Sequence, residues 1–272
     1  MLIDCHAHLN AYDETRPPPS LRERADLLFQ TMEEAGIDHV VILSSYKVTP
    51  YRPHVDEIIA AVGGDRRVSI VEGIRWRSEG ERTDLFKMEE RLRDGLVKGL
   101  KLYPGYDGYA INDPSLESVL RIAGKYGVPV MIHTGDTYSK KAKVRHAHPL
   151  LVDDLAVDYP ETQFVMCHLG NPWFEDAAEV LYKNDNVLAD ISGLTLGGFS
   201  AEFERLMIER MRESIQYMGD PSLQLMYGSD WPLVEMKSYV KFFNSLDLTP
   251  EQREKIGWQT AARVFRIESV AS

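Results

Sequence analysis

The sequence predicts the α/β fold class, with eight parallel strands and their intervening helices closed into a single (β/α)8 TIM barrel over residues 1–272. Three observations carry this. Apolar strand-length runs alternate with amphipathic helical segments about eight times. The 272 residues match the ~250 typical of such a barrel. Polar residues stand at the C-terminal tips of strands one, four, five, six and eight, and only a closed barrel brings those tips to one mouth. An open doubly wound sheet would also alternate, but no glycine-rich phosphate turn opens the first unit.

Strand one, residues 2–8, is apolar and ends in His6-Ala7-His8. Alternation puts both imidazoles on one face and Cys5 and Ala7 on the other. After the polar loop 10–20, with its rigid Pro17-Pro18-Pro19, residues 21–35 have helical apolar spacing that Gly36 ends. Strand two is 39–43, with Ser44-Ser45-Tyr46-Lys47 at its tip. Helix 55–62 stops at Gly63-Gly64, and strand three, 68–74, runs into the loop Arg75-Trp76-Arg77. Helix 84–94 leads to strand four, 99–102, and to an aromatic, glycine-rich loop holding Tyr103, Tyr106 and Tyr109. Residues 115–126 are helical by the spacing of Leu116, Val119, Leu120, Ile122 and Ala123, and stop at Gly127 before strand five, 128–132. A long basic loop, 134–148, precedes helix 149–159, strand six 162–167, helix 174–183, strand seven 187–191, helix 201–218 and strand eight 225–227. The C-terminal end is helical over 239–245 and 249–265, the latter capped by Thr249-Pro250-Glu251.

The net charge of −11 and pI near 5.2 argue against nucleic acid or an anionic membrane as partner, so the expected partner is a small-molecule substrate, with a homo-oligomer left open. No basic leader is visible, and no apolar run approaches the ~20 residues that span a bilayer. Cys5 and Cys167 read as apolar packing residues facing away from the neighbouring histidines. Together these features predict a cytoplasmic protein in a reducing environment.

His133 ends the run Val128-Pro129-Val130-Met131-Ile132, His168 ends Phe164-Val165-Met166-Cys167, and Asp230 closes Leu225-Met226-Tyr227-Gly228-Ser229. A His-x-His pair alone is weak, because strand histidines also sit hydrogen-bonded in cores. Burying a polar group without a partner costs roughly 1–3 kcal/mol, so five such groups at strand tips ask for a shared one. A metal ion is the simplest.

Five stretches, Ile3-Asp4-Cys5-His6-Ala7-His8, Gly99-Leu100-Lys101-Leu102-Tyr103-Pro104, Pro129-Val130-Met131-Ile132-His133, His168-Leu169-Gly170 and Gly228-Ser229-Asp230-Trp231-Pro232, together resemble the amidohydrolase superfamily. Within it the chain is most similar to the amidohydrolase-related group of aminocarboxymuconate semialdehyde decarboxylase-like enzymes, resorcylate-type decarboxylases and a pyrone dicarboxylate lactonase. The resemblance implies that His6, His8, His133 and Asp230 hold one divalent ion, and the donor types suit zinc. His168 is then an acid/base group beside it. In the alternative two-metal arrangement, His168 is a ligand as well and Lys101 is the carbamylated bridge. The single-metal reading makes Lys101 a substrate-binding or electrostatic group, unless it merely pairs with an acid.

The implied activity is metal-dependent hydrolysis, in which activated water attacks an amide, lactone or related carbonyl of a small carboxylated substrate while Asp230 and His168 handle protons. The alternative is a non-oxidative decarboxylase (carboxy-lyase) of an aromatic or unsaturated acid. A barrel that only binds, without a metal, is the remaining reading. Asn171 and Gln259 depart from the family pattern, but neither is an implied ligand.

Arg75 and Arg77, with Arg145, lie on loops after strands three and five, where guanidinium groups suit substrate carboxylates. Tyr103, His148, Trp173 and Trp231 are further candidates for the substrate mouth. His39 and His54 read as structural, and His146 as a solvated loop residue.

Overall fold

Eight short strands form the inner ring: β1 (Ile3–Ala7), β2 (His39–Leu43), β3 (Val68–Gly73), β4 (Gly99–Leu102), β5 (Val130–His133), β6 (Phe164–Cys167), β7 (Val187–Asp190) and β8 (Leu225–Met226). The structure, a computed structural model, describes residues 1–77, 82–195, 200–219 and 224–268. Neighbouring strands pair in parallel and in sequence order. The chain around β8 closes the ring on β1: Cys5 N–H donates to Tyr227 O at 3.0 Å, Asp230 N–H to His6 O at 2.8 Å and His8 N–H to Trp231 O at 2.7 Å. Asp4 reinforces the seam. Its Oδ1 accepts from the backbone N–H groups of Ser229 (2.9 Å) and His6 (3.1 Å), and its Oδ2 accepts from the Ser229 hydroxyl at 2.5 Å. The expected single (β/α)8 barrel is therefore the observed one.

The helices α1 (Leu21–Ala35), α2 (Val55–Val62), α3 (Leu85–Arg93), α4 (Glu117–Tyr126), α5 (Leu150–Asp158), α6 (Phe174–Lys183), α7 (Ala201–Met218) and α8 (Met236–Ser245) follow the strands. Their ends obey local chemistry: Ser20 and Glu23 close a reciprocal capping box on α1, and Gly36 ends it in the left-handed conformation. The C-terminal helical stretch, 250–265, contains a π turn at Lys255–Gln259. No described helix is long and apolar enough to cross a membrane.

Two hydrophobic clusters separate the layers. Side chains on one face of the strands, with Phe164, Leu100 and Val187 among them, pack against the helices. Ile3, Cys5, Val41, Leu43, Val71, Met131, Val165, Cys167, Leu188 and Met226 fill the barrel, where Ala261, Val264 and Phe265 join them.

Both cysteines thus lie inside the barrel, which overturns the expectation that they face away from the histidines. In β1 the reason is a register shift against β2 between Asp4 and Ala7, which breaks simple alternation. In β6 it is the left-handed φ of 62° at His168, which swings that side chain out of the strand's pattern.

His39 opens β2 and is buried, with Nε2 3.0 Å from Ser69 Oγ. Burial pushes its pKa down from 6.5 to about 4. Unfolding then takes up a proton between those values, so this contribution to stability is complete above pH 6.5 and is lost as pH falls toward 4, on the order of 1–3 kcal/mol. Denaturant titrations at pH 7 and pH 4.5 should show a smaller loss for His39→Gln than for the unsubstituted protein; equal losses would remove His39 from the account.

Candidate active site

At the seam between β1 and the chain after β8, three donors converge. His6 Nε2 is 3.7 Å and His8 Nε2 3.4 Å from the same oxygen, Asp230 Oδ1, and one donor atom from each residue lies within 4.8 Å of the others. Each imidazole is held from behind. His6 Nδ1–H donates to Asp190 Oδ2 at 2.9 Å, and His8 Nδ1–H to Leu43 O at 2.7 Å. Those bonds fix the tautomers so that both Nε2 lone pairs point at the carboxylate side.

The charge states suit the same role. Burial pushes the pKa of His6 down to about 4 against the pull of Asp190, so His6 is neutral at pH 7. Burial would raise the Asp230 pKa, but the neighbouring imidazoles of His8, His6 and His168 outweigh this and bring it to about 2. Neutral imidazole nitrogens and a carboxylate are the donor set that a divalent cation such as zinc takes. Three such donors crowded around one point fit it.

Asp190, the last residue of β7, organises the next ring. Fully buried, it accepts His6 Nδ1–H through Oδ2 and, through Oδ1, the N–H groups of His168 (2.9 Å) and Ser192 (3.1 Å) and the Ser192 hydroxyl (2.5 Å). Burial opposes its ionisation, yet His6, His168 and Lys101 hold its pKa well below the usual carboxylate range. The His168 ring lies 4.9 Å from that of His6 and 5.1 Å from that of His133. His133 Nε2–H donates to Asp136 O at 2.8 Å, and burial, then the charges of His168 and Lys101, push its pKa well down.

His168 (φ 62°) and Asp230 (φ 69°) are both non-glycine residues in left-handed conformations. Such geometry costs roughly 1–3 kcal/mol and gathers at functional positions. Gly193 lies between them: a Cβ there would come 3.1 Å from Asp230 Oδ2 and 3.2 Å from His168 Nδ1, so only glycine leaves this space open.

The other predicted residues divide. Lys101 is buried inside the barrel, its Nζ 2.6 Å from Cys167 Sγ and 5.3 Å from the Tyr103 ring centroid. No carboxylate forms an ion pair with it among the described residues. Tyr103, Tyr46 and Tyr106 form an aromatic wall that continues to His133, with centroids 5.0 Å (Tyr46–Tyr103), 6.4 Å (Tyr46–Tyr106) and 4.8 Å (Tyr106–His133) apart.

The remaining predicted residues have partners elsewhere. Arg75 donates to Tyr46 O at 3.0 Å and lines a groove of about 470 Å³ that none of His6, His8, His133, His168 and Asp230 borders. Arg77 pairs with Asp113 at 3.2 Å. His148 stacks on Trp173 at 4.5 Å and faces Asp176 at 3.5 Å. Trp231 is packed in the core between strands and helices.

The sequence reading missed Asp190, Tyr12 and Arg52. Arg52 lies over the Tyr12 ring at 5.8 Å, and its charge reaches Tyr12, Tyr46 and Tyr103, while Asp230 acts on Tyr12 and Tyr103. Its guanidinium has no carboxylate partner among the described residues. Arg24 sets its loop by donating to Leu9 O (2.8 Å) and Tyr51 O (3.1 Å).

A family model described as amidohydrolase matches residues 3–267. An uncharacterized TIM-barrel protein from Bordetella bronchiseptica superposes with a TM-score of 0.76 at 20% identity, covering 97% of this chain and 98% of that one. A probable 2-pyrone-4,6-dicarboxylic acid hydrolase from Acinetobacter baumannii, with citric acid bound, gives 0.69 at 17% identity, covering 97% and 99%. A dihydroxybenzoic acid decarboxylase from a Polaromonas species, with manganese and the inhibitor 2-nitroresorcinol bound, gives 0.65 at 13% identity, covering 97% and 96%. No curated protein matches the chain.

Proposed function

The chain belongs to the amidohydrolase family, and from that premise we propose that it is a metal-dependent hydrolase acting on the lactone, amide or related carbonyl of a small carboxylated substrate. The observation that carries this reading is the approach of His6 Nε2 and His8 Nε2 to Asp230 Oδ1, with both Nδ1 positions already bonded. His6, His8 and Asp230 would hold the ion, with His133 and His168 beside them. A divalent ion bound there supplies a Lewis acid for the carbonyl and lowers the pKa of water from 15.7 to about 7.

Zinc is our first assignment, and one ion is favoured. Among the described residues the other possible grouping is His6, His168 and Asp190, where His6 Nδ1 is already bonded to Asp190 and His168 Nδ1 to Ser192.

The chain's own groups divide the work. The Asp230 carboxylate accepts the proton of the attacking water, and His168 delivers one to the leaving oxygen or nitrogen. Lys101 contributes positive charge below the mouth. Arg52 offers a two-pronged donor to a substrate carboxylate, and the Tyr46, Tyr103 and Tyr106 wall suits a planar ring. Unpaired Cys5 and Cys167 support a reducing, cytoplasmic setting.

The same aromatic wall and cation would also suit decarboxylation of an aromatic acid. A panel of pyrone and other lactones alongside carboxylated phenols, assayed with metal-loaded enzyme, separates the two. Ring opening with uptake of water is the expected result. Release of carbon dioxide would replace the hydrolase by a carboxy-lyase, and turnover of neither class would overturn both.

A further inference from the structure

We propose that Lys101 and Cys167 form a covalent nitrogen–oxygen–sulfur bridge under oxidising conditions, a reversible modification inside the barrel. The starting observation is the 2.6 Å separation of Lys101 Nζ and Cys167 Sγ. Hydrogen bonds from N–H to oxygen are about 2.7–3.2 Å long, and sulfur is the larger atom, so this contact is shorter than an N–H···S bond requires. Two backbone atoms bonded to a common third lie about 2.5 Å apart. A single oxygen inserted between Nζ and Sγ would therefore find both within bonding reach, with no movement of β4 or β6.

The surroundings favour capture over further oxidation. Both side chains are buried, at 1% and 0% exposure, so a sulfenic acid formed on Cys167 is held against the Lys101 amine and away from any competing thiol in solution, and the second peroxide equivalent acts on the two groups together. Adjacent strands hold the pair in place: Lys101 pairs with Met131 of β5, and β5 pairs with β6 through His133 and Cys167.

The chemistry balances with hydrogen peroxide as oxidant. The first equivalent converts the Cys167 thiol to a sulfenic acid and releases one water. The Lys101 ammonium gives up one proton to water, and the second equivalent removes one hydrogen from the sulfenic hydroxyl and one from the resulting amine, forming the O–N bond and two waters. Four electrons leave the pair, two from sulfur and two from nitrogen. Two equivalents of a dithiol return them, releasing one water and restoring thiol and amine.

The bridge stands on geometry alone, whereas its effect on turnover rests on the role given to Lys101 in the proposed hydrolysis. Bridging removes the ammonium charge beneath the tyrosine wall and ties Cys167 away from Asp190, the carboxylate that orients His6.

Intact-mass measurement of the folded protein after peroxide treatment tests the proposal. The expected gain is about 14 Da, with a cross-linked peptide containing Lys101 and Cys167, full reversal by dithiothreitol, and no such gain in Cys167→Ser. A gain of about 16 or 32 Da on Cys167 without a cross-link, a loss of about 2 Da from a direct S–N or Cys5–Cys167 bond, or no change would each overturn it. Bridge formation with unchanged turnover would uphold the bridge and overturn the role of Lys101 in the reaction.

Discussion

Asp230→Asn is expected to lower turnover by about 10²–10⁴-fold, the usual contribution of a positioned acid/base group. The substitution keeps the shape of the side chain and removes its charge and its capacity to accept a proton. Both matter at this position. The carboxylate oxygen is the point toward which His6 Nε2 and His8 Nε2 turn, at 3.7 and 3.4 Å, and its pKa near 2 keeps it ionised at any working pH. The backbone bond from Asp230 N–H to His6 O is untouched by the change, so the barrel seam and the fold should persist. Steady-state rates at saturating metal, with a thermal melt as control, check this. An unaltered kcat would remove Asp230 from proton transfer.

Asp190→Asn is expected to weaken metal affinity by about 10–100-fold, the usual effect of losing a group that orients a ligand. An amide at this position presents one oxygen where the carboxylate presents two, while His6 Nδ1–H, two backbone N–H groups and the Ser192 hydroxyl all need acceptors. His6 then loses the partner that fixes its tautomer. Asp190→Ala should be worse, since orphaning a buried hydrogen-bonded partner costs several kcal/mol. Competition with a chromophoric chelator reads the affinity, and an unchanged constant in the Asn variant would leave Asp190 a purely structural residue.

Much of the barrel was legible because strands and helices have different apolar periods and because glycine stops such as Gly36 and Gly127 are local signals. The site was legible where a polar residue ends an apolar run, as at His133, His168 and Asp230. Asp190 carries the same signal after Val187-Leu188-Ala189. Extending that strand to Ile191 hid it, placing the aspartate inside a run instead of at its tip. The orientation of Cys5 and Cys167 was illegible because it depends on a register shift in β1 and a left-handed residue after β6, neither of which apolar patterning records. Arg52 has no periodic context at all; its place depends on Arg24, far away in sequence, gripping the loop carbonyls. For the same reason Arg75 and Arg77 could be put on the right loops without revealing that Tyr46 O and Asp113 engage them.

The central claim is that β1 and the chain after β8 together hold a divalent cation through His6, His8 and Asp230. Elemental analysis of the purified protein after reconstitution and gel filtration tests it most directly, alongside a His6→Ala plus His8→Ala variant of matched fold by circular dichroism. The account predicts one divalent ion per chain in the unsubstituted protein and none in the variant. A protein that retains no ion, or a variant that retains as much as its parent, would contradict it.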